Sequence, residues 1–480
     1  MGLASSETAM FASGSRFARA MVCLVSAACA GAALAQAPDE PAPTGAQAPA
    51  PPANQRTRAT RSTTAVDIPN ERQLAVWAGY GKSDNLARTA VAPIDGSYES
   101  VGLLLALGHD AERIDASINS DLEFRTYSEQ SIDDETVGTL DAKAVFSLAP
   151  ERVSWLIDEN FGQGLRDAFA PVGPNNRESF NVVSTGPRVD LPLGARTNLE
   201  MTGLYSSRRY DQSSSVDTDS VAYELGVFRQ ATATARFGLV ANTNDIDYTN
   251  VDAPSYRIDR FSLRYDKRLA SGRVRADAGK NQISSSGRTD DEPFFDFEWT
   301  RALSGRSDLT ITATREFTDS GNQLATTTPG SGTGASDILV TPNPLEEKRL
   351  NALYVVRMPR TSLSAGVGAT NDRYVSDSTF DNDGTTVTLG LSHTISARLG
   401  IGLNYNSTRR DFTDPAHVSD QDRTTSAWLN RSLGRKFGVA FGISRYARRG
   451  SQNFDENHYE VRFDYSPTGS ATTAMRNIGR

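Results

Sequence analysis

Apolar and polar residues alternate along nearly the whole chain from about Gln73 onward. The clearest case is residues 458–465, HYEVRFDY, in which aromatic or aliphatic side chains occupy every second position. Because the side chains of a strand point to its two faces in turn, this period of two predicts a strand with one apolar and one polar face. The same pattern occurs in residues 261–266, 348–358, 399–406 and 437–444. The chain is therefore predicted to be all-β.

The connections between these segments alternate in length. Short joins are predicted near residues 108–111, 149–151, 193–195, 230–232, 270–272, 304–306, 359–360, 396–398 and 434–435. Longer polar stretches lie between them, at residues 125–135, 164–176, 210–218, 250–254, 319–344, 375–383 and 411–420. This order is typical of bacterial outer-membrane barrels, whereas a β-sandwich would mix hairpins with crossovers. The predicted fold is a transmembrane, antiparallel, up-and-down β-barrel over residues 71–466, with about 18–20 strands.

An apolar outer face would suit a lipid environment. Without water, each backbone N–H and C=O group must bond within the protein, and a closed barrel achieves this. Aromatic residues near strand ends would then lie at the two membrane interfaces. The predicted members of these girdles are Tyr98, Phe124, Tyr205, Tyr265, Tyr405 and Tyr465. A barrel of this size is wide enough to leave an aqueous lumen.

Charged residues on the other strand face are predicted to line this lumen. The candidates are Arg264, Asp266, Arg275, Asp277, Arg349, Arg357, Glu460, Arg462 and Asp464. Both signs of charge are present, so two interpretations stay open. The lumen could be a path for a sugar polymer, in which charges and amides exchange hydrogen bonds with hydroxyl groups. It could equally be an interior held together by ion pairs.

The N-terminal segment predicts the cellular compartment. Arg16 and Arg19 precede a stretch of small apolar residues that ends in the sequence ALA at positions 33–35, the pattern of a secretory signal peptide. We expect cleavage near Ala35, with cleavage after Ala37 or lipidation of Cys29 as alternatives. The expected segments are a signal peptide at 1–35, a disordered Pro/Ala-rich periplasmic linker at 36–70 and a tail at 467–480. Together with the barrel, they predict the outer membrane of a Gram-negative bacterium.

Composition excludes several classes of protein. A net charge of -8 at pH 7 argues against a nucleic-acid partner, which would require a basic face. A mean hydropathy of -0.43 argues against a bundle of transmembrane helices. The chain has 2 cysteines, and both lie in the expected signal peptide, so the mature chain is predicted to have no disulfide framework.

Candidate catalytic and metal-binding residues are few. Ser392 and His393 are adjacent in a predicted strand and would point to opposite faces, which argues against a hydrolase site. The acidic run at residues 381–384 is better explained as a hairpin turn than as a calcium loop. No His/Cys cluster suits a transition metal. The sequence therefore predicts neither an enzyme nor a metal or cofactor site.

Residues 153–194 carry a more specific signal. They read VSWLIDENFGQGLRDAFAPVGPNNRESFNVVSTGPRVDLPLG, which resembles a recurring block in outer-membrane β-barrel proteins associated with exopolysaccharide export and exosortase (PEP-CTERM) systems. The matching positions are Trp155, Asp158, Asn160, Gly162, Gln163, Asp167, Pro174, Asn176, Arg177, Asn181, Ser184, Gly186 and Pro187. The rest of the barrel shares only the general pattern of such proteins.

The resemblance implies an outer-membrane pore that assists secretion of an extracellular polysaccharide. The implied partners are outer-membrane lipid, the polysaccharide itself and a periplasmic polysaccharide-export protein. Two alternatives remain open from the residues alone. One is a general diffusion porin for small hydrophilic solutes, and the other is a structural or surface-interaction barrel with residues 319–344 as its contact loop.

Residues 153–194 also predict a specific hairpin. A strand at 153–162 and a return strand at 177–191 would flank a loop at 164–176 that is rich in glycine and proline. In the functional interpretation, Asp167 and Arg177 pin this loop so that it folds inward and gates the lumen. In the alternative interpretation, the hairpin is only structural. Residues 319–344 are the second candidate for a gating loop.

Overall fold

A computed structural model describes residues 73–250, 254–326, 338–414 and 419–467. The expected signal peptide, the expected linker and nearly all of the expected tail lie outside these residues. The described chain forms twenty strands and one short α-helix. The strands are β1 (Gln73–Ser83), β2 (Gly96–Asp110), β3 (Ile114–Tyr127), β4 (Glu135–Ala149), β5 (Val153–Leu165), β6 (Arg177–Gly194), β7 (Thr197–Tyr210), β8 (Thr218–Thr232), β9 (Ala235–Tyr248), β10 (Tyr256–Leu269), β11 (Gly272–Ser285), β12 (Arg288–Ser304), β13 (Ser307–Thr318), β14 (Leu345–Arg357), β15 (Thr361–Tyr374), β16 (Asn382–Ser396), β17 (Leu399–Phe412), β18 (Ser419–Ser432), β19 (Phe437–Arg449) and β20 (Phe454–Tyr465). The helix α1 is Ser320–Thr326.

Each strand pairs antiparallel with the next along the chain, and β1 pairs with β20 to close the ring. The closing pair is short, with a register that runs over eight pairs from Val76 opposite Tyr465 to Ser83 opposite His458. Side-chain contacts reinforce it, because Ser83 donates to Glu456 at 2.7 Å and Asn457 donates to Asp84 at 2.7 Å. The predicted up-and-down barrel is confirmed, with 20 strands.

The two faces of the wall differ as the period of two predicts. On β10, Phe261 and Leu263 are 58% and 54% exposed on the outer face, whereas Ser262 between them and Arg264 after them face inward and are 1% and 3% exposed. Five of the six predicted girdle aromatics occupy strand positions whose side chains point outward. Of these five, Phe124, Tyr205, Tyr265 and Tyr465 are exposed.

The prediction for Tyr98 is wrong. This residue faces inward and is buried, and its ring stacks on His458 with a centroid distance of 5.6 Å. The ring occupies the space beside Gly81, where an added Cβ would come within 2.3 Å of it. Glycine is therefore needed at position 81 to admit the aromatic ring into the lumen.

Connections at the two ends of the barrel differ in length. One end, the short-turn end, carries the joins at 111–113, 150–152, 195–196, 233–234, 270–271, 305–306, 358–360, 397–398 and 433–436. The other end, the loop end, carries the longer connections. Two loop-end connections are short. Residues 450–453 join β19 to β20. Ser286 and Gly287, with φ of 50° and 80°, join β11 to β12. Positive φ at both residues is the geometry of a tight two-residue hairpin. Among the described residues, no helix combines the length and the apolar character needed to cross a membrane.

A substitution tests the assignment of the outer face. Leu263 lies halfway along β10, so Leu263→Arg should destabilise the membrane-inserted barrel by about 2–4 kcal/mol, because a charge is placed where hydrocarbon is expected. Phe463 faces outward near the end of β20, and Phe463→Arg should cost only about 0–1 kcal/mol. Unfolding by guanidinium after insertion into lipid vesicles measures both values. Equal costs at the two positions would contradict the assignment.

Candidate functional site

The loop between β5 and β6, residues 166–176, has a defined shape that depends on one asparagine. The buried side chain of Asn176 accepts a hydrogen bond from the N–H of Asp167 at 2.9 Å and donates to the carbonyl of Asp167 at 2.9 Å. It also donates to the carbonyls of Ala170 and Pro171, both at 3.2 Å. One amide side chain thus fixes both ends of the turn. We call residues 166–176 the crossing loop.

The crossing loop reaches the far side of the barrel. The ring of Phe169 packs edge-on against Phe412 of β17 at a centroid distance of 4.9 Å, and it stacks on Phe380 at 5.8 Å. In a ring of 20 strands, β6 and β16 are ten positions apart, so Phe380 and Phe412 lie about half the circumference away from the base of the loop. The loop therefore spans the mouth.

Two arginines from other parts of the barrel, Arg88 and Arg448, hold the crossing loop by its backbone. Arg448 of β19 donates to the carbonyl of Phe169 at 2.9 Å and to that of Ala170 at 3.1 Å. Arg88, in the loop after β1, donates to the carbonyl of Val172 and to Glu456 at 2.7 Å. Burial opposes the charge of Arg88, yet the carboxylate of Glu456 keeps the pKa of Arg88 above its ordinary value.

The loop between β13 and β14 also folds inward. Asp319 is buried and accepts hydrogen bonds from Arg208 at 3.0 Å and from the hydroxyl of Tyr256 at 2.7 Å. The next residue, Ser320, begins α1 and shares a hydrogen bond of 2.9 Å with Tyr210. The described ends of this loop therefore pack against the inner wall rather than forming an exposed contact surface.

The loop between β13 and β14 meets the crossing loop at its base, where Leu165 is the last residue of β5. The N–H of Leu165 donates to the carbonyl of Ile338 at 2.7 Å, and the N–H of Val340 donates to the carbonyl of Leu165 at 2.8 Å. This is a short parallel bridge between Leu165 and Leu339. Ile338 and Val340 pack in one apolar cluster with Phe180 and Val182 of β6. The crossing loop with residues 319–326 and 338–344 forms a single structure, which we call the lid.

Beneath the lid, charged side chains of the inner wall pair with one another. Arg264 donates to Asp277 at 2.8 Å and lies 3.5 Å from Glu224. Arg273 donates to Asp266 at 2.6 Å. The other pairs include Arg236 with Glu200, Arg462 with Glu123 and Glu460, Arg349 with Glu347, and Arg410 with Asp422. Ion pairing therefore accounts for much of the predicted lumen charge.

Some of the predicted lumen residues are not directly paired. Arg275 and Asp464 are on the inner face and buried, and the Nε atom of Arg275 and both carboxylate oxygens of Asp464 have no hydrogen-bond partner among the described residues. Arg357 also occupies an inward-facing strand position. It lies exposed at the short-turn end, however, where it pairs with Asp308.

The two residues predicted to pin the loop have local roles. The carboxylate of Asp167 accepts a hydrogen bond from the N–H of Phe169 at 2.9 Å, within the crossing loop. Arg177 donates to Glu135 of β4 at 2.6 Å, at the base of the loop. The contacts that hold the loop across the mouth come instead from Arg88 and Arg448, which sequence analysis missed.

The weaker candidates for chemistry have structural partners. The ring of His393 lies 2.9 Å from the hydroxyl of Thr361. The carboxylate of Asp381 accepts from the N–H of Tyr374 at 2.7 Å, and Asp383 pairs with Arg373 at 2.9 Å, so the acidic run serves the turn between β15 and β16. Within the described ranges, no group of three or more His, Cys, Asp or Glu residues could hold a metal ion.

Comparison with known proteins gives relatives by structure only. No protein-family model matches the chain, and no curated protein matches it. Among solved structures, OccK2 (OpdF) of Pseudomonas aeruginosa matches with a TM-score of 0.36 and 11% identity, over 83% of this chain and 99% of that chain. A BenF-like porin from Pseudomonas fluorescens matches with a TM-score of 0.36 and 9% identity, over 83% of this chain and 100% of that chain. The FrpB iron transporter from Neisseria meningitidis matches with a TM-score of 0.40 and 7% identity, over 83% and 81%.

Proposed function

We propose that this chain is an outer-membrane channel for an extracellular polysaccharide, with a lumen that the lid closes at rest. The observation that carries the proposal is the crossing loop, which spans half the circumference and is held by Arg88 and Arg448. A loop that only joined two strands would not need contacts with the opposite wall. A wide barrel without such a closure would leak small solutes.

The placement in a membrane is supported by the wall. All 20 strands are paired, so no sheet edge is left with unpaired backbone groups, which is the condition for a sheet in hydrocarbon. The outer face presents large apolar side chains such as Leu239, Leu263 and Phe441, each about half exposed. The expected signal peptide directs the chain out of the cytoplasm. We place the loop end outside the cell and the short-turn end in the periplasm.

The nature of the cargo is supported by the inner wall. A neutral or weakly charged polysaccharide offers many hydroxyl groups, and ion-paired arginines and carboxylates can exchange hydrogen bonds with these groups without binding any one of them tightly. The block that resembles exopolysaccharide-associated barrels, residues 153–194, is also the segment that contains the crossing loop. A periplasmic export protein would deliver the polymer to the short-turn end.

The experiment combines deletion of the gene with a reversible cross-link between the lid and the barrel wall. Deletion should abolish cell-surface polysaccharide and leave uptake of small hydrophilic solutes unchanged, and the wild-type gene should restore the polysaccharide. The double variant Phe169→Cys with Phe412→Cys joins residues whose rings are 4.9 Å apart. It should also restore the polysaccharide until a cleavable bifunctional thiol reagent links the two cysteines. Reduction of the linker should restore secretion again.

The control is the single variant Phe169→Cys, which carries a thiol but cannot be linked to the opposite wall. It should secrete polysaccharide with or without the reagent. Normal surface polysaccharide in the deletion strain, together with slower uptake of small hydrophilic solutes, would favour the diffusion porin. Secretion that continues through the linked double variant would show that the lid does not gate the path.

A further inference from the structure

The nine turns at the short-turn end share one backbone contact. In each turn, a carbonyl accepts a hydrogen bond of 2.7–2.9 Å from an N–H near the end of the neighbouring hairpin. This shared contact makes the nine accepting residues structurally equivalent. They are Arg113, Arg152, Arg196, Thr234, Ser271, Arg306, Arg360, Arg398 and Lys436. Seven of the nine are basic, in a chain with 58 acidic and 50 basic residues. We call these seven the basic collar.

The side chains of the basic collar are exposed, and the described residues offer them no partner. All seven residues are in the exposed class, and none of their side chains forms a hydrogen bond or an ion pair within the described part of the chain. Exposed cations at the loop end are paired instead. Arg257 pairs with Asp245 at 2.5 Å, and Arg449 pairs with Asp455 at 3.0 Å. The collar is therefore positive charge that no ion pair neutralises among the residues that the structure describes.

An exposed apolar residue on the outer face accompanies each member of the collar. These residues are Ile114, Leu148, Leu193, Leu303, Met358, Ile395 and Leu433, and they are 38–63% exposed. In four turns the spacing is the same, because Leu193, Leu303, Ile395 and Leu433 each precede the basic residue by three positions. Each of these seven turns thus combines, in one unit, one outward aliphatic side chain with one cation that has no ion-pair partner among the described residues.

We propose that the basic collar binds the phosphate groups of anionic phospholipids in the leaflet around the short-turn end. An aliphatic side chain beside a cation matches the boundary between acyl chains and headgroups, where long basic side chains extend toward phosphate. The units recur around the circumference, as a surrounding lipid annulus requires, whereas a globular partner would need one continuous patch. The inference rests on the proposed membrane placement and is independent of the cargo.

The test measures which phospholipid associates with the full-length barrel in vesicles. Electron spin resonance with spin-labelled phosphatidylglycerol and spin-labelled phosphatidylcholine gives the relative association constants. Phosphatidylglycerol should be favoured by about fivefold per site at low salt, the factor that one basic side chain contributes at an anionic surface. The preference should fall in about 1 M salt, where the Debye length is about 3 Å.

Two charge-matched variants separate the collar from general positive charge. The collar variant carries Arg113→Gln, Arg152→Gln, Arg196→Gln, Arg306→Gln, Arg360→Gln, Arg398→Gln and Lys436→Gln. The control variant carries Arg257→Gln, Lys280→Gln, Arg288→Gln, Arg409→Gln, Arg423→Gln, Arg445→Gln and Arg449→Gln, all exposed near the loop end. The collar variant should lose the preference for phosphatidylglycerol, and the control variant should keep it.

Three outcomes would overturn the proposal. The first is equal association of the two lipids with the wild type, and the second is an unchanged preference in the collar variant. The third is equal competition by soluble glycerophosphoglycerol, since a headgroup without acyl chains does not use the aliphatic half of each unit. Folding is checked by the mobility shift of the unheated barrel on gels. If seven substitutions prevent folding, the four at Arg196, Arg306, Arg398 and Lys436 provide the same comparison.

Discussion

Replacement of residues 167–175 by a short Gly-Ser linker should convert the barrel into a permanently open channel. These residues include Phe169, whose ring packs on Phe412 on the far side of the mouth, and the carbonyl groups that Arg448 and Arg88 bind. Without them, the crossing loop no longer spans the lumen. Single-channel conductance in planar bilayers should rise several-fold, and cells should become sensitive to large antibiotics that the outer membrane normally excludes.

The control for this deletion shortens the loop at 128–134, which lies at the same end. Its Ile132 packs on Leu86 and Tyr98 of the neighbouring connection and wall. This variant should keep the conductance of the wild type. Equal conductance in the wild type and the crossing-loop deletion would show that the lid does not limit the passage of ions. The lid would then be a structural element of the mouth.

The second large effect is expected at Arg448. This side chain is 0% exposed, lies 3.6 Å from Asp422 and pairs more closely with Asp420. Arg448→Ala would leave these buried carboxylates undercompensated, at a cost of about 3–5 kcal/mol in the free energy of unfolding. It would also remove the two hydrogen bonds to the crossing loop, so the open state should become more populated. Guanidinium unfolding and bilayer conductance measure the two effects separately.

A paired substitution distinguishes the two roles of Arg448. Arg448→Met combined with Asp420→Asn removes the cation together with one carboxylate, so much of the lost stability should return. The hydrogen bonds to Phe169 and Ala170 would still be absent, and the raised conductance should therefore persist. If the conductance returned to the wild-type value along with the stability, Arg448 would be a structural residue of the wall and would not hold the loop.

The barrel could be predicted because its signal is local. A period of two fixes which residues share a face, and β10 shows the result, with Leu263 exposed outside and Arg264 buried inside. The wrong prediction for Tyr98 is also explained by this alternation of faces. Tyr98 and the exposed Val101 are three positions apart on one strand, so their side chains point to opposite faces. The alternation along β2 places this aromatic residue in the lumen, although its position near a strand end is typical of an interfacial girdle.

The lid could be predicted only in part. Glycine and proline at 164–176 indicate a loop, and the length of 319–344 indicates another, but the contacts that close the mouth join distant residues. Arg88 and Val172 are separated by 84 positions, and Arg448 and Ala170 by 278. Their acceptors are backbone carbonyls, which every residue type carries. Only the parity of Arg448 on β19 could have indicated that it faces the interior.

The closure of the ring by β1 and β20 has a consequence for folding. The two strands stand at opposite ends of the sheet in sequence, since Ser83 and Glu456 are 373 positions apart, and they share only eight register pairs. Until they meet, the sheet has two open edges with unpaired N–H and C=O groups, which are templates for aggregation. Contacts at such separation form late and slowly because loop-closure entropy must be overcome first. The nascent sheet therefore needs its first and last strands shielded until the other eighteen are in place.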